Sequence, residues 1–130
     1  MMKHFILFLF LFSILTSACN EVGNDSLKKC WVFSEISNGF HIYYPCGDER
    51  IQVSRFNPSY NFLDNNKCEY LVLSPNDAHF LTDGFYNFDP ETSILTVESS
   101  DNELVAKLKI ISLSSTEMRV RDLTNLNTMY

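Results

Sequence analysis

Glycine and proline are scarce in this chain, with 4 of each among 130 residues. That excludes a collagenous or low-complexity polymer. Basic residues are also few: 10 Lys and Arg stand against 16 Asp and Glu, a net charge of -6. The chain therefore lacks the basic face that a nucleic-acid binder needs, and no nucleic-acid partner is expected. The same balance disfavours electrostatic adhesion to anionic lipid. No apolar run reaches the roughly 20 residues of a spanning helix. No Cys-x-x-Cys pair, Gly-x-Ser-x-Gly elbow or Gly-rich phosphate loop occurs. The expectation is a non-catalytic protein that uses no cofactor and no metal.

What is present begins at the N-terminus. Lys3 precedes an apolar run from Phe5 to Leu15, broken only by Ser13, and Thr16, Ser17, Ala18 and Cys19 follow. A basic start, a short apolar stretch and small residues before a cut site are the marks of a secretory signal. The segment Leu15-Thr16-Ser17-Ala18-Cys19 resembles a bacterial lipobox, in the looser form of Bacteroidetes lipoproteins, with Thr16 where an aliphatic residue is usual. The resemblance implies that Cys19 is acylated and becomes the first residue. A plain signal peptide cut after Ala18 is the alternative. Several acyl chains, at about 0.8 kcal/mol per buried methylene, hold a protein to a bilayer far more firmly than one. Residues 1–18 are then the signal, 19–26 a small polar tether and 27–130 the folded domain. Loss of Lys3 moves the net charge to -7. The expected location is the cell envelope, lipid-anchored, on the outer membrane or facing the periplasm.

From Leu27 onward the pattern is short runs of period two between turn residues. Trp31, Phe33 and Glu35 share one face of the first run. Ser37-Asn38-Gly39 interrupts it, as a bulge or tight turn, before Phe40–Tyr44. Pro45-Cys46-Gly47-Asp48 reads as a loop. Residues 51–56 and 59–63 are strand-like, with Pro58 a bend between them. Asp64-Asn65-Asn66-Lys67 is a hairpin turn, and 68–73 the return strand. Tyr86 and Phe88 alternate, as do Leu95 and Val97, then Ala106, Leu108 and Ile110, and finally Met118 and Val120. Turns fall at Asp89–Thr92, Ser99–Asn102 and Ser114–Glu117. One wet and one buried face is the habit of antiparallel sheets. The prediction is all-β: a small antiparallel up-and-down barrel or half-barrel of seven to eight strands. Helix is expected for at most one turn, near Pro75–His79.

The runs Ser54–Tyr60, Leu63–Leu71, Ser74–His79, Gly84–Asp89 and Ile111–Met118 together resemble the small lipocalin-like lipoproteins of Bacteroidetes. The similarity covers nearly all of 27–123. It implies a small β-barrel and no settled biochemical activity. Lipocalins carry a Gly two residues before the first-strand Trp, with an Arg of the last strand over that ring. Here Lys29 stands two before Trp31, and Arg119 or Arg121 is the candidate guanidinium.

Beyond Cys19 the cysteines are Cys30, Cys46 and Cys68, and an oxidising compartment predicts one pair and one leftover. All three pairings are open. Cys30–Cys68 is favoured because both begin strands expected at one barrel end; a full strand between them would set their Cα atoms about 10 Å apart, too far to bridge. Asp77 and His79 read as a loop cap and a surface imidazole rather than metal ligands. Glu35 reads as a half-buried carboxylate paired with an Arg such as Arg55. Trp31, Phe33, Tyr60, Phe62, Tyr86, Phe88 and Met118 point inward as the candidate ligand pocket, although their bulk crowds so small a barrel and Trp31 reads first as a core plug. Two functions remain: binding of a small apolar ligand at one barrel mouth, or interaction with an envelope protein through a packed barrel's exterior.

Overall fold

The computed structural model describes residues 23–72 and 80–125. A short helix, α1 (Asn24–Leu27), precedes eight strands: β1 (Cys30–Ser37), β2 (Phe40–Pro45), β3 (Ser59–Phe62), β4 (Lys67–Leu71), β5 (Thr82–Asp89), β6 (Ile94–Ser99), β7 (Leu104–Leu113) and β8 (Met118–Asp122). Every pairing is antiparallel, and the ring order β1-β2-β8-β7-β6-β5-β4-β3 closes into one barrel. The all-β class, the antiparallel barrel and the count of eight agree with the reading of the sequence. The order departs from a strict up-and-down meander once. β3 to β8 follow one another around the ring, whereas β1 lies between β2 and β3.

The tight turns are set by residues that tolerate positive φ. Asn38 (φ 51°) and Gly39 (φ 80°) close the β1–β2 hairpin, and Asn65 and Asn66 (both φ 58°) close β3–β4. Two consecutive positive φ values give the turn whose twist matches paired strands. Ser37-Asn38-Gly39 is thus a tight turn.

The β2–β3 connection runs back over the outside of β1. The Ser34 hydroxyl donates to the Arg50 carbonyl (3.3 Å) and accepts from the Gln52 N–H (3.0 Å), and the Asn57 amide donates to the Phe33 carbonyl (2.9 Å). Residues 51–56 are therefore not the expected strand. They form no strand, and Val53 is 94% exposed.

A bulge at Ser34 changes the first strand's faces: Phe33 pairs with Tyr43, but Glu35 pairs with Ile42. Because the extra residue shifts the alternation, Glu35 leaves the Trp31 face and turns outward. Its carboxylate accepts from the Gln52 side-chain amide at 3.1 Å, in place of the expected arginine.

The core fills one end of the barrel. Trp31, Phe62, Leu95, Leu108, Met118 and Val120 are essentially sealed, and Leu27 of α1 plugs that end from below. The last part of the expected tether is thus structured: Asn24–Ser26 belong to α1. Lys28 meets Asp64 of the β3–β4 turn at 3.3 Å, and Lys29 donates to the Ser115 carbonyl of the β7–β8 turn at 3.0 Å. The cation over Trp31 is Lys29, 5.4 Å from the ring centroid, and not Arg119 or Arg121. Arg121 covers Phe40 on the outer surface instead.

The disulfide joins Cys30 to Cys46, not to Cys68. The register explains the correction. Trp31 pairs with Pro45, so Cys30 and Cys46 flank that pair with Cα atoms 5.4 Å apart, inside the bridging range. Cys68 lies on β4, beyond the whole of β3, and pairs with Phe62 and Gly84. It is a free, buried thiol, and burial pushes its pKa up to about 11.

Candidate functional site

The end opposite α1 is hollow. A cavity of about 410 Å³ opens there between β1, β2, β3, β7 and β8. β1 contributes Phe33; β2 contributes His41 and Tyr43, which alternate inward; β3 contributes Tyr60, with Pro58 just before it. Val72 follows β4, Val105 and Ala106 begin the inward series of β7, and Asp122, Thr124 and Asn125 close the wall at the end of β8. Below this cavity the aromatic series continues as packing. Tyr60 stacks on Phe62 (5.9 Å, 9° between planes), and Phe62 meets Tyr86 edge-on at 4.8 Å. Ala106, with the smallest side chain among the inward residues of β7, sits where a larger one would fill the space.

The walls combine apolar rings with a few polar groups. Phe33 contacts His41 (5.3 Å) and Tyr43 (5.7 Å), and Tyr43 lies 6.0 Å from Tyr60. Burial holds the Tyr43 phenol well above the usual range, with Tyr60 and the Asp122 carboxylate adding to the shift. Tyr60 is raised by burial and then by Asp122. Both phenols are therefore neutral at physiological pH and serve as hydrogen-bonding groups inside an apolar wall. Asp122 is fixed at the rim, where its carboxylate accepts from the Thr124 N–H at 2.8 Å, and the Thr124 hydroxyl accepts from the Lys107 N–H at 3.1 Å.

Of the seven residues expected to form a pocket, two line this cavity: Phe33 and Tyr60. Trp31, Phe62 and Met118 are sealed in the packed end. Tyr86 is buried beside them, its hydroxyl donating to the Leu63 carbonyl at 2.9 Å, and Phe88 packs against the core's edge. Sequence reasoning missed His41, Tyr43, Ala106 and Asp122. The signals were there: His41 and Tyr43 alternate along β2, and Asp122 continues the inward series Met118–Val120.

Cys19, Asp77 and His79 lie outside the described residues. Among the described residues no three His, Cys, Asp or Glu side chains converge as a metal site. No protein-family model, curated protein or solved structure gives a significant match to the chain.

Proposed function

We propose that this protein is a lipid-anchored, non-catalytic small-ligand-binding module of the cell envelope, with a lipocalin-like barrel. The observation that carries the reading is the cavity of about 410 Å³ at one end of an otherwise packed barrel. Small-molecule sites are concave, mostly apolar and furnished with a few convergent polar groups, within roughly 300–1,000 Å³. Barrel mouths are a common place for them. The arrangement of the two ends also favours the reading. Gly23 and α1 are at the plugged end, and Cys19 stands four residues earlier, a reach of about 14 Å. An acyl anchor at Cys19 holds the plugged end near the bilayer and leaves the mouth facing water.

The second reading, interaction with an envelope protein, draws on Ile36, Phe80 and Leu81, large apolar side chains 59–64% exposed at the strand ends around the mouth. Organic extraction of the protein purified from membranes, followed by mass spectrometry of the extract, separates the two. A small molecule in near-stoichiometric amount supports the ligand carrier. Its absence, with a protein partner retained through purification, supports the interaction reading.

A further inference from the structure

Charge is distributed unevenly around the cavity. Among the described lining residues Asp122 is the one carboxylate, and none is Lys or Arg. The cations on the neighbouring strands are turned away. Arg121 lies over Phe40, Arg119 pairs with Glu117 at 3.5 Å, and Lys107 alternates with the inward Ala106 and Leu108. Two stretches adjoin the cavity residues in sequence, 73–79 after Val72 and 126–130 after Asn125. Neither contains Lys or Arg. A carboxylate in such a wall meets a like charge with no Lys or Arg among the described lining residues to offset it; Asp122 is exposed at the rim, so the repulsion is largest at low ionic strength. A cation meets the opposite: one carboxylate in a wall that includes the aromatic rings of Phe33, Tyr43 and Tyr60.

We infer that the cavity selects its ligand by charge, taking a compound with an apolar body and a neutral or cationic hydrogen-bonding head and rejecting carboxylates and other anions. This rests on the reading of the open end as a binding site. The phenols of Tyr43 and Tyr60 meet a hydroxyl or amine head, and Asp122 at the rim supplies the discrimination. His41 is the one imidazole among the described lining residues, so all titrations are compared at a single pH.

The test is calorimetric titration of the full-length protein in non-ionic detergent with three probes of one ring system: 2-naphthalenemethanol, 2-naphthylmethylamine and 2-naphthoate, each corrected against empty micelles. The alcohol and the amine bind, and the carboxylate binds at least tenfold more weakly. Asp122→Asn raises the carboxylate's affinity at least threefold and narrows the gap between carboxylate and alcohol. Ala106→Phe, or the milder plug Ala106→Leu, abolishes binding of the alcohol and assigns it to the cavity. A carboxylate that binds as tightly as the alcohol, or a gap untouched by Asp122→Asn, overturns charge selection while the binding site stands. If none of the three probes gives a signal that the Ala106 variants remove, the binding reading itself fails and the inference falls with it.

Discussion

The indole N–H of Trp31 donates to the carbonyl oxygen of Leu27 at 3.0 Å, and both side chains are wholly buried. The bond ties β1 to the helix that plugs the closed end, and the Lys29 ammonium lies over the same ring. Trp31 is thus a structural keystone, at the opposite end of the barrel from the cavity. A buried indole needs a partner for its N–H, and α1 supplies it from four residues away.

Trp31→Ala should lower stability by about 3–5 kcal/mol, the usual penalty for emptying a large aromatic site. Trp31→Phe keeps most of the apolar contact and loses only the indole bond, since the Leu27 carbonyl still accepts from the Lys29 N–H at 2.8 Å, and loss of that bond should cost about 0.5–1.5 kcal/mol. Urea melts measure both. A Trp31→Ala midpoint equal to that of the wild type would contradict the plugged end.

On β8 the inward series is Met118 and Val120, both sealed, with Arg119 facing outward and partly exposed. Met118→Asp buries a carboxylate without a partner and should cost several kcal/mol or prevent folding. Arg119→Asp should cost under about 1 kcal/mol, because its ion pair with Glu117 is at the surface. Reversal of that order in urea melts would shift the strand by one residue.

Peptide mapping without reduction should recover Cys30 linked to Cys46. Cys46→Ser should lower stability by about 3 kcal/mol, the scale for a closed loop of this length. Cys68, buried and with its thiol pKa pushed up to about 11, should resist iodoacetamide in the folded protein at pH 8 and react once the chain is unfolded. Rapid labelling of the folded state would show β4 to be open.

The Arg50 guanidinium binds Asp48 through two hydrogen bonds, at 2.9 and 2.8 Å, and also donates to the Thr116 carbonyl at 2.7 Å. The side-chain bonds from Arg50, together with its backbone N–H at 2.9 Å, lower the Asp48 carboxyl to about 2. A carboxyl held lower in the folded state than in the unfolded chain stabilises above the unfolded value, near pH 4, and loses that contribution as pH falls through about 2. The stability gap between wild type and Asp48→Asn should therefore be constant above about pH 5 and shrink between pH 4 and pH 2. A gap that does not change with pH would mean that the clamp is absent in solution.

Much of the fold is legible in the sequence because one-sided burial writes itself as alternation. Ala106, Leu108 and Ile110 against Lys107 and Lys109 describe β7, and the Asn-Gly and Asn-Asn pairs mark their hairpins. What alternation does not contain is the order of strands around the ring. The path of residues 51–56 over β1 depends on that order, because β1 lies between β2 and β3, whereas the Cys30–Cys46 bridge depends on the register of the β1–β2 hairpin. A local insertion is equally silent: Glu35 reads as inward until the bulge at Ser34 turns it out. The candidate site was half visible. Phe33 and Tyr60 follow from alternation, but which end is hollow depends on side-chain volumes across strands, above all the small Ala106 against the bulky Trp31, Phe62 and Met118.

Native mass spectrometry of the full-length protein, gently extracted from the membranes of the cells that make it, tests the account most directly. The account predicts a chain that begins at Cys19 and carries acyl groups, together with a bound small molecule that is lost on mild activation and is missing from Ala106→Phe. A chain with an unmodified Cys19 would contradict the anchor, and an acylated chain that never carries a small molecule would contradict the ligand carrier.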